Sequence, residues 1–255
     1  MPVITVATLN LKKGELRWGE RAPLLMQQLV ALRPDIIGFQ EVDLRLDQGN
    51  WICDRFNALC EVADVPPGYV IHHMANPRDN VSLEALGIMT HLPVLAHEGY
   101  DYLIRNRVAH RVRVDVEGRQ FDFYNTHFHH VQDDEGHEFR RRQAQSLLDW
   151  IDERSGDVPA ALVGDFNAPP NTRPIRMLKD RLRSAHDVLD SVQPTFPSPL
   201  VEEPPYPGQY TIDYIFVTDG ARPVEARRVF DEPEAGDATL YPSDHFGLMA
   251  RLELD

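Results

Sequence analysis

Short apolar runs alternate with amphipathic stretches along all 255 residues of the chain. Continuous apolar runs are typical of buried strands, whereas apolar residues spaced three or four apart are typical of helices. The spacing predicts helices over Trp18–Leu32, which ends before Pro34, over Trp51–Val62 and over Phe139–Ile151. The predicted strands are Val3–Leu9, Asp35–Phe39, Leu86–Met89, Arg107–Val116, Phe121–Thr126, Ala160–Val163, Ile212–Val217, Arg227–Phe230 and Phe246–Leu252.

The connections between these elements carry recognisable loop signals. Glu117-Gly118 is a tight-turn signal, and the proline-rich segment from Pro194 to Pro207 predicts a long surface loop, of the kind that often walls a substrate site. No internal repeat, linker-like change of composition or low-complexity tract divides the chain. We therefore predict one domain over residues 1–255, of mixed α/β class.

The composition is that of an ordinary globular protein, with 42% hydrophobic and 26% charged residues. No apolar run is long enough to span a bilayer, and Met1-Pro2 leads into an apolar stretch without the basic flank of a signal peptide. Cys53 and Cys60, if helical, lie about 10 Å apart at a rise of about 1.5 Å per residue, which is too far for a disulfide. Reduced cysteines and the missing signal favour a cytoplasmic location.

The net charge is −14, from 26 Lys and Arg residues against 40 Asp and Glu residues. Proteins that grip long stretches of nucleic acid usually present a basic face, because phosphate contacts supply most of their non-specific affinity. The acidic balance therefore disfavours such a partner without excluding a local basic groove. It agrees with a cation site built from carboxylates.

Polar residues stand just past the ends of several predicted strands, where loops bring side chains to a common site. Burying such groups without partners costs on the order of a few kcal/mol, so their repeated placement indicates a shared purpose. Asp213 lies inside an apolar strand, where a carboxylate needs a partner. The strand-end residues are Asn10, Gln40-Glu41, Thr126-His127, Gly164-Asp165-Phe166-Asn167 and Ser243-Asp244-His245.

These residue types match the chemistry of metal-dependent phosphoester hydrolysis. A hard cation prefers carboxylate and amide oxygens. Such oxygens come from Asn10, Glu41, Asp165, Asn167 and Asp244. Hydrolysis also needs an oriented water with a proton acceptor, and donors around the phosphoryl oxygens. Two histidines, His127 and His245, suit that last role, especially where a carboxylate keeps the ring charged.

Together with Ile212-Asp213-Tyr214-Ile215, these motifs resemble the signature of the endonuclease/exonuclease/phosphatase superfamily. That superfamily includes pancreatic-type deoxyribonucleases, apurinic endonucleases, neutral sphingomyelinases, inositol polyphosphate 5-phosphatases and deadenylases. The motifs occur in family order and span residues 10 to 245. The segment Glu84–Val94 also resembles a family segment, although Ala85 stands where glycine is usual and Thr90-His91 where Ser-Arg is common. The resemblance implies a four-layer α/β/β/α sandwich, with two packed mixed β-sheets flanked by helices.

The resemblance also implies roles for the matching residues. Glu41 would be the direct metal ligand, with Asn10 and Asp244 close by, for Mg²⁺ or for Mn²⁺ as a substitute. Asp165 would orient or deprotonate the attacking water, helped by Asn167.

The remaining matches would contact phosphate. His245 would bind the scissile phosphate and be held by Asp213. His127 would be a second phosphate contact, paired with Glu84 as in the deoxyribonuclease branch. No serine or cysteine is placed with a base, so we expect in-line attack by water without a covalent enzyme intermediate.

Other histidines have less specific patterns. His129 and His130 follow His127 in an HxHH cluster, which by itself suggests zinc. However, Val131-Gln132 replace the Asp-His that would continue a metallo-β-lactamase motif, so we interpret both histidines as site-lining or surface residues. His137-Glu138 lacks the second histidine of HExxH.

Two groups of arginines leave alternatives open. Arg140-Arg141-Arg142 predicts a partly solvated helix face, from which one arginine can still lean towards the site. The second group recurs at period two and comprises Arg105, Arg107, Arg111 and Arg113. Such a series forms either an exposed sheet face, which is the simpler interpretation, or a modest phosphate-binding stripe. We interpret His72-His73 and His186 as incidental.

Three functions compete at this stage. The leading hypothesis is a metal-dependent phosphodiesterase or phosphatase that acts on a small or lipid-derived phosphoester. The second is a Mg²⁺-dependent endonuclease or exonuclease acting on DNA or RNA, which the acidic charge and the lack of an aromatic-plus-basic stretch disfavour. The third is an inactive binding module, which ranks last because it would be expected to have lost one of the residues present here, Glu41, Asp165, Asn167, Asp213 and His245. No protein partner can be inferred.

Overall fold

Two six-stranded β-sheets pack face to face, and helices cover their outer faces. The computed structural model describes residues 1–62, 68–76, 78, 83–204 and 207–255. The strands are β1 (Val3–Asn10), β2 (Ile36–Asp43), β3 (Val70–Ala75), β4 (Glu84–Thr90), β5 (Val94–Asp101), β6 (Val108–Val116), β7 (Arg119–His127), β8 (Ala160–Asp165), β9 (Arg183–Ser184), β10 (Asp213–Val217), β11 (Ala221–Val229) and β12 (Gly247–Leu254). The helices are α1 (Trp18–Leu32), α2 (Gln48–Val62), α3 (Asp134–Ser155), α4 (Arg173–Lys179) and α5 (Ala185–Val188).

Both sheets are mixed. The first has the order β11-β12-β1-β2-β4-β3 and the second has the order β5-β6-β7-β8-β10-β9. One pair of neighbours in each sheet is parallel, β1 with β2 and β7 with β8. The remaining pairs are antiparallel.

Apolar layers follow from the alternation of side chains along each strand. In β1, Ile4 and Val6 belong to the core between the sheets, in one cluster with Phe123 of β7. Ala7 and Leu9 lie on the other face, in the cluster that α1 and α2 complete. Because both faces are covered, the strand is a continuous apolar run. Helices α3 and α4 cover the second sheet in the same way, which confirms the predicted α/β/β/α sandwich.

The strand register brings the polar motif residues side by side. Asn10 is the Cα partner of Gln40 where β1 and β2 run parallel. Asp165 has two Cα partners. They are His127 in the parallel pair β7–β8 and Asp213 in the antiparallel pair β8–β10. Asn10 Nδ2 lies 3.1 Å from Asp165 Oδ2, so the two sheets present these residues to one common cleft.

The predicted strands and helices all occur, with ends that differ by a few residues. Five further elements were not predicted: β3, β5, β9, α4 and α5. β3, β5 and β9 are edge strands, and β3 and β5 are only partly buried, so they lack the continuous apolar run of the inner strands. The two helices are seven and four residues long, which is too short for a helical period to be read.

The arginines on β6 form neither of the two predicted surfaces. Arg111 is buried, and its Nη2 lies 2.8 Å from Asp122 Oδ1, while Arg113 Nη2 lies 2.7 Å from Asp122 Oδ2. Both interpretations were wrong for these two residues, because the fully buried Asp122 carboxylate needs cationic partners. Arg107 precedes the strand and lies in the cleft instead.

Smaller predictions also have outcomes. Cys53 and Cys60 are buried and form no disulfide, as predicted. The proline-rich segment is a loop as predicted, although its residues 205 and 206 lie outside the described residues. Among the described residues, no helix combines the length and the apolar character needed to cross a membrane.

Gly164 allows β7 and β8 to approach each other next to the cleft. Its φ is +145°, and a Cβ at this position would lie 2.0 Å from the carbonyl oxygen of Thr126. Gly118, in the predicted tight turn, also has a positive φ of +87°, but a Cβ there would meet nothing within 4 Å. The two glycines therefore differ in crowding, and both have a positive φ that L side chains rarely adopt.

We expect Gly164→Ala to destabilise the fold by about 2–5 kcal/mol, because overpacking adds to the strain of a left-handed residue. Gly118→Ala is the matched control. It should lower the free energy of unfolding only through backbone strain, by about 1–2 kcal/mol. Urea denaturation of both variants measures the difference. Equal losses would contradict the assigned close approach.

Candidate active site

A cleft of about 1450 Å³ opens where the strand ends of both sheets meet. Its polar floor includes Glu41, Glu84, His127, Asp165, Asn167, Asp244 and His245. Its walls include Lys12, Lys13, Arg105, Arg107, Phe196 and Tyr210. Asn10 and Asp213 are buried and bonded to floor residues. The structure thus brings together every residue that the motifs predicted for the site.

Asp165 is at the centre of the floor. Its Oδ2 accepts a hydrogen bond from Asn10 Nδ2 at 3.1 Å. The same oxygen lies 3.4 Å from His127 Nε2 and 3.9 Å from His245 Nε2. Burial and the nearby Asp213 carboxylate raise the pKa of Asp165 to about 7. A carboxylate in this position is ready to accept a proton near neutral pH.

Two floor residues have left-handed backbone conformations. Glu41 has a φ of +52° and lies at the irregularity between Phe39 and Val42 in the pairing of β2 with β4. Such a bulge re-aims a side chain, here into the cleft. Asn167 has a φ of +48°, and its backbone N–H donates to Asp165 Oδ1 at 2.8 Å. Strain of this kind is common at functional sites.

His245 is paired with Asp213 as the motifs implied. The distance between His245 Nδ1 and Asp213 Oδ2 is 2.9 Å. Burial alone lowers the pKa of the ring, but Asp213, Asp244 and Asp165 outweigh burial and raise the pKa of His245 to about 10. The ring is therefore charged at neutral pH. Its Nε2 remains available to the cleft.

His127 does not pair with Glu84 directly, in contrast to the expectation from the deoxyribonuclease branch. Arg107 lies between them, because its Nη1 is 2.7 Å from Glu84 Oε1 and 2.9 Å from His127 Nδ1. Lys13 Nζ adds a second ion pair to Glu84 at 3.0 Å. Arginine has only donors, so Nδ1 accepts and the ring proton lies on Nε2. Burial and Arg107 lower the pKa of His127 well below its usual value, which makes this ring neutral.

Arg140 supports the loop that follows His127. It is fully buried, so the predicted solvated face was wrong for this residue. Its Nη1 donates to the carbonyl oxygens of His129 and Val131 at 2.8 and 2.7 Å, and its Nη2 donates to Gln132 Oε1 at 3.0 Å. His129 and His130 line the cleft, in agreement with the site-lining interpretation.

A divalent cation fits the acidic side of the floor. Burial raises the pKa of Glu41, and the carboxylates of Asp244 and Glu84 raise it further, while Lys12 opposes them. The Glu41 carboxylate is therefore incompletely compensated by the nearby cations. Asn10 Nδ2 donates to Glu41 Oε1 at 3.3 Å, and Asn10 Oδ1 accepts from the Lys12 backbone N–H at 3.0 Å. Its amide thus orients Glu41.

A second grouping of metal-ligand atoms is less suitable. One atom each from Asp165, Asp213 and His245 lies within 4.8 Å of the others. However, His245 Nδ1 is bonded to Asp213 and the ring is charged, and a metal ligand must be a neutral imidazole. The oxygen donors of Glu41 and Asp244 are a better match for a hard cation.

The sequence interpretation missed part of the cleft wall. Lys12 and Lys13 follow Asn10 after one residue, Leu11, and this short spacing was the one available signal. Arg107 was seen only as a member of a periodic series. Phe196 packs against the site, with its ring centroid 4.7 Å from that of His245. Phe196 lies in the proline-rich segment that was predicted to form a loop beside a substrate site, but no local pattern marks its contact with His245, because the two residues are far apart in the chain.

The two-sheet sandwich carries buried carboxylates, amides and histidines at one cleft. The sequence model of the Endonuclease/Exonuclease/phosphatase family matches residues 7–245, and the chain belongs to this family. Membership supports phosphoester hydrolysis, a chemistry that in this family generally depends on a divalent metal.

Curated relatives agree with this assignment. The chain is 28% identical to Nocturnin of Drosophila melanogaster over 94% of its own length, and 29% identical to Nocturnin of Xenopus laevis over 92%. It spans 42% and 64% of the lengths of these two relatives.

Solved structures show the same fold. The human Nocturnin catalytic domain with a bound sulfate anion has a TM-score of 0.76 at 22% identity, covering 100% of this chain and 94% of that one. A mannosyl-6-phosphatase of Bacteroides thetaiotaomicron has a TM-score of 0.78 at 20% identity, covering 98% and 100%. D. rerio TDP2 with a single-strand DNA product has a TM-score of 0.76 at 18% identity, covering 98% and 99%.

Asp213→Asn should lower the pKa of His245 by roughly 1–3 pH units, because it removes the nearest opposite charge from a buried ring. In metal-free protein, the wild-type ring should stay charged up to a pH of about 10. The NMR titration of the His245 ring proton measures both values. An unchanged His245 titration would contradict the assigned pair.

Proposed function

We propose that the chain hydrolyses a phosphoester by direct attack of water at the floor of the cleft. The observation that carries this proposal is the position of Asp165, whose Oδ2 lies 3.1, 3.4 and 3.9 Å from nitrogen atoms of Asn10, His127 and His245. Among the described residues that line the cleft there is no serine or cysteine to act as a nucleophile. Water is therefore the attacking group.

Asp165 would accept the proton of the attacking water. A general base is most effective when its pKa lies near the working pH, and burial together with Asp213 raises the pKa of Asp165 towards that range. The Asn167 backbone N–H holds Oδ1 at 2.8 Å, which fixes the plane of the carboxylate. The water oxygen would bond to phosphorus as the opposite ester P–O bond breaks, and the configuration at phosphorus would invert.

The two histidines would bind phosphoryl oxygens in different charge states. His245 would donate from Nε2 as an imidazolium, because Asp213 holds its Nδ1 at 2.9 Å. His127 would donate from Nε2 as a neutral ring, because Arg107 occupies its Nδ1 at 2.9 Å. Preorganised donors of this kind stabilise the charge that develops on the phosphoryl oxygens in the transition state.

Glu41, with Asn10 and Asp244 beside it, would hold the divalent cation. We infer Mg²⁺, with Mn²⁺ as a substitute, because the carboxylates of Glu41 and Asp244 offer oxygen donors. The bound cation supplies charge neutralisation for the phosphoryl group. Lys12 Nζ, 3.7 Å from Asp244 Oδ2, adds positive charge at the same wall.

The cleft favours a small or lipid-derived phosphoester. Its apolar side chains Phe196, Val201 and Tyr210 stand near cationic ones, which suits an ester with one apolar or ring-containing end. The net charge of −14 disfavours a long polyanion. A mannosyl-6-phosphatase shares the fold, and small phosphorylated substrates are therefore compatible with this architecture.

A nuclease is the second candidate. Four cationic residues at the walls favour it, namely Lys12, Lys13, Arg105 and Arg107. The fold is also that of D. rerio TDP2, whose solved structure contains a single-strand DNA product.

We expect cleavage of bis-p-nitrophenyl or p-nitrophenyl phosphate with Mg²⁺ or Mn²⁺, and none with EDTA, because the carboxylates of the floor need a cation to face a phosphate. Plasmid DNA, single-stranded RNA and a phospholipid complete the panel. Nicking of the plasmid without cleavage of small esters would favour the nuclease. Turnover that persists in EDTA would contradict the metal assignment.

Asp165→Asn and His245→Gln should each lower kcat by about 10²–10⁴-fold. The first variant removes the proton acceptor, and the second removes the charged donor. The control is His91→Gln, an exposed histidine paired with Asp35, which should retain full activity. Circular dichroism checks the fold of all three variants. Hydrolysis of a chiral phosphorothioate should invert the configuration at phosphorus. Net retention of that configuration would refute direct attack by water.

A further inference from the structure

A second cavity, of about 10 Å³, touches Asp213 and is separate from the catalytic cleft. Its polar lining includes Ser184, His186, Thr211 and Asp213. None of its lining residues also lines the cleft. The volume corresponds to about one water molecule.

Two buried atoms of this lining lack a partner among the described residues. They are Asp213 Oδ1 and His186 Nδ1. Asp213 is 1% exposed and His186 is 5% exposed, so neither atom is satisfied by bulk solvent. Buried polar atoms in native proteins are nearly always hydrogen-bonded, and an unpaired one calls for a ligand or an ordered water.

Both unpaired atoms are acceptors. His186 Nε2 lies 3.5 Å from the carbonyl oxygen of Arg227, which can only accept, so the ring proton is on Nε2 and Nδ1 carries a lone pair. Burial lowers the pKa of His186, in agreement with a neutral ring. Asp213 Oδ1 also has lone pairs that can accept, because Oδ2 is the oxygen that bonds to His245 Nδ1 at 2.9 Å.

Two acceptors on residues that line one cavity cannot bond to each other, and a molecule with two donors would satisfy both. A water supplies both hydrogens. It can also accept from the Ser184 hydroxyl, whose oxygen already accepts from the Asp187 backbone N–H at 3.3 Å and whose own proton remains to be donated. Three such bonds are typical of a buried water.

We propose that a buried water bridges His186 Nδ1 and Asp213 Oδ1, which makes His186 a positioning residue for the Asp213–His245 pair. The bond to Oδ1 fixes the rotation of the carboxylate, so that Oδ2 stays aligned with His245 Nδ1. His186 is then not incidental. The link to catalysis rests on the proposed function of His245, whereas the bridge itself does not.

The chain offers a matched pair of variants. The amide of asparagine places an acceptor where the Nδ1 of histidine stands, whereas glutamine places its amide at the position of Nε2. His186→Asn therefore keeps the bond to the water, and His186→Gln keeps the bond to the Arg227 carbonyl instead. A residue with a purely structural role would respond to both changes alike.

With bis-p-nitrophenyl phosphate, we expect His186→Gln to lower kcat about tenfold with little change in KM, while His186→Asn stays within about twofold of wild type. Thermal unfolding identifies any variant that is not folded. Equal kcat losses in the two variants, or no loss in either, would overturn the positioning role.

Two further measurements do not depend on turnover. The downfield proton resonance of His245 Nδ1–H should persist in wild type and His186→Asn and should shift or broaden in His186→Gln. A high-resolution crystal structure of the wild type should show one water within hydrogen-bond distance of His186 Nδ1 and Asp213 Oδ1. A dry cavity, or a side chain bonded to Oδ1, would overturn the bridge. If the bridge is present but no phosphoester is cleaved, the proposed function fails and the bridge stands.

Discussion

The burial of Asp165 is the constraint on which the rest of the site depends. A carboxylate removed from water is costly unless donors or cations surround it, and the side chains nearest to its Oδ2 come from both sheets. Asn10 is 155 positions away in the chain, yet its amide donates to Asp165 at 3.1 Å. The need to satisfy one buried oxygen therefore explains why the ends of strands from two sheets meet in a single cleft.

The scaffold supplies this arrangement through features that cost conformational freedom. Gly164 permits a backbone approach that no side chain would tolerate, and the bulge at Glu41 turns a carboxylate into the cleft. Arg140 holds the loop after His127 in place by donating to the carbonyl oxygens of His129 and Val131. The close approach at Gly164, the bulge at Glu41 and the Arg140 hydrogen bonds each restrict the backbone near the cleft. Such support keeps reactive groups in the correct orientation towards a substrate.

Charge is distributed unevenly over the molecule and within the site. The chain is strongly acidic, yet lysines and arginines line the cleft walls. Two histidines on the same floor differ in charge because their partners differ. His245 faces the carboxylate of Asp213, which raises its pKa above that of a free ring. His127 accepts from Arg107, and its pKa is lowered.

The sequence by itself determined the inner strands, the long helices and the set of polar residues at the strand ends, because apolar period and residue chemistry are local properties. Tertiary structure decided which groups touch. Arg107 lies between Glu84 and His127, although these residues are 23 and 20 positions from it in the chain. Arg111 is buried because it forms an ion pair with Asp122 on the neighbouring strand. The edge strands β3 and β5 also escaped prediction, because partial burial leaves no continuous apolar run. Contacts between distant residues, and the tautomers and charges that those contacts impose, are not encoded in any local pattern.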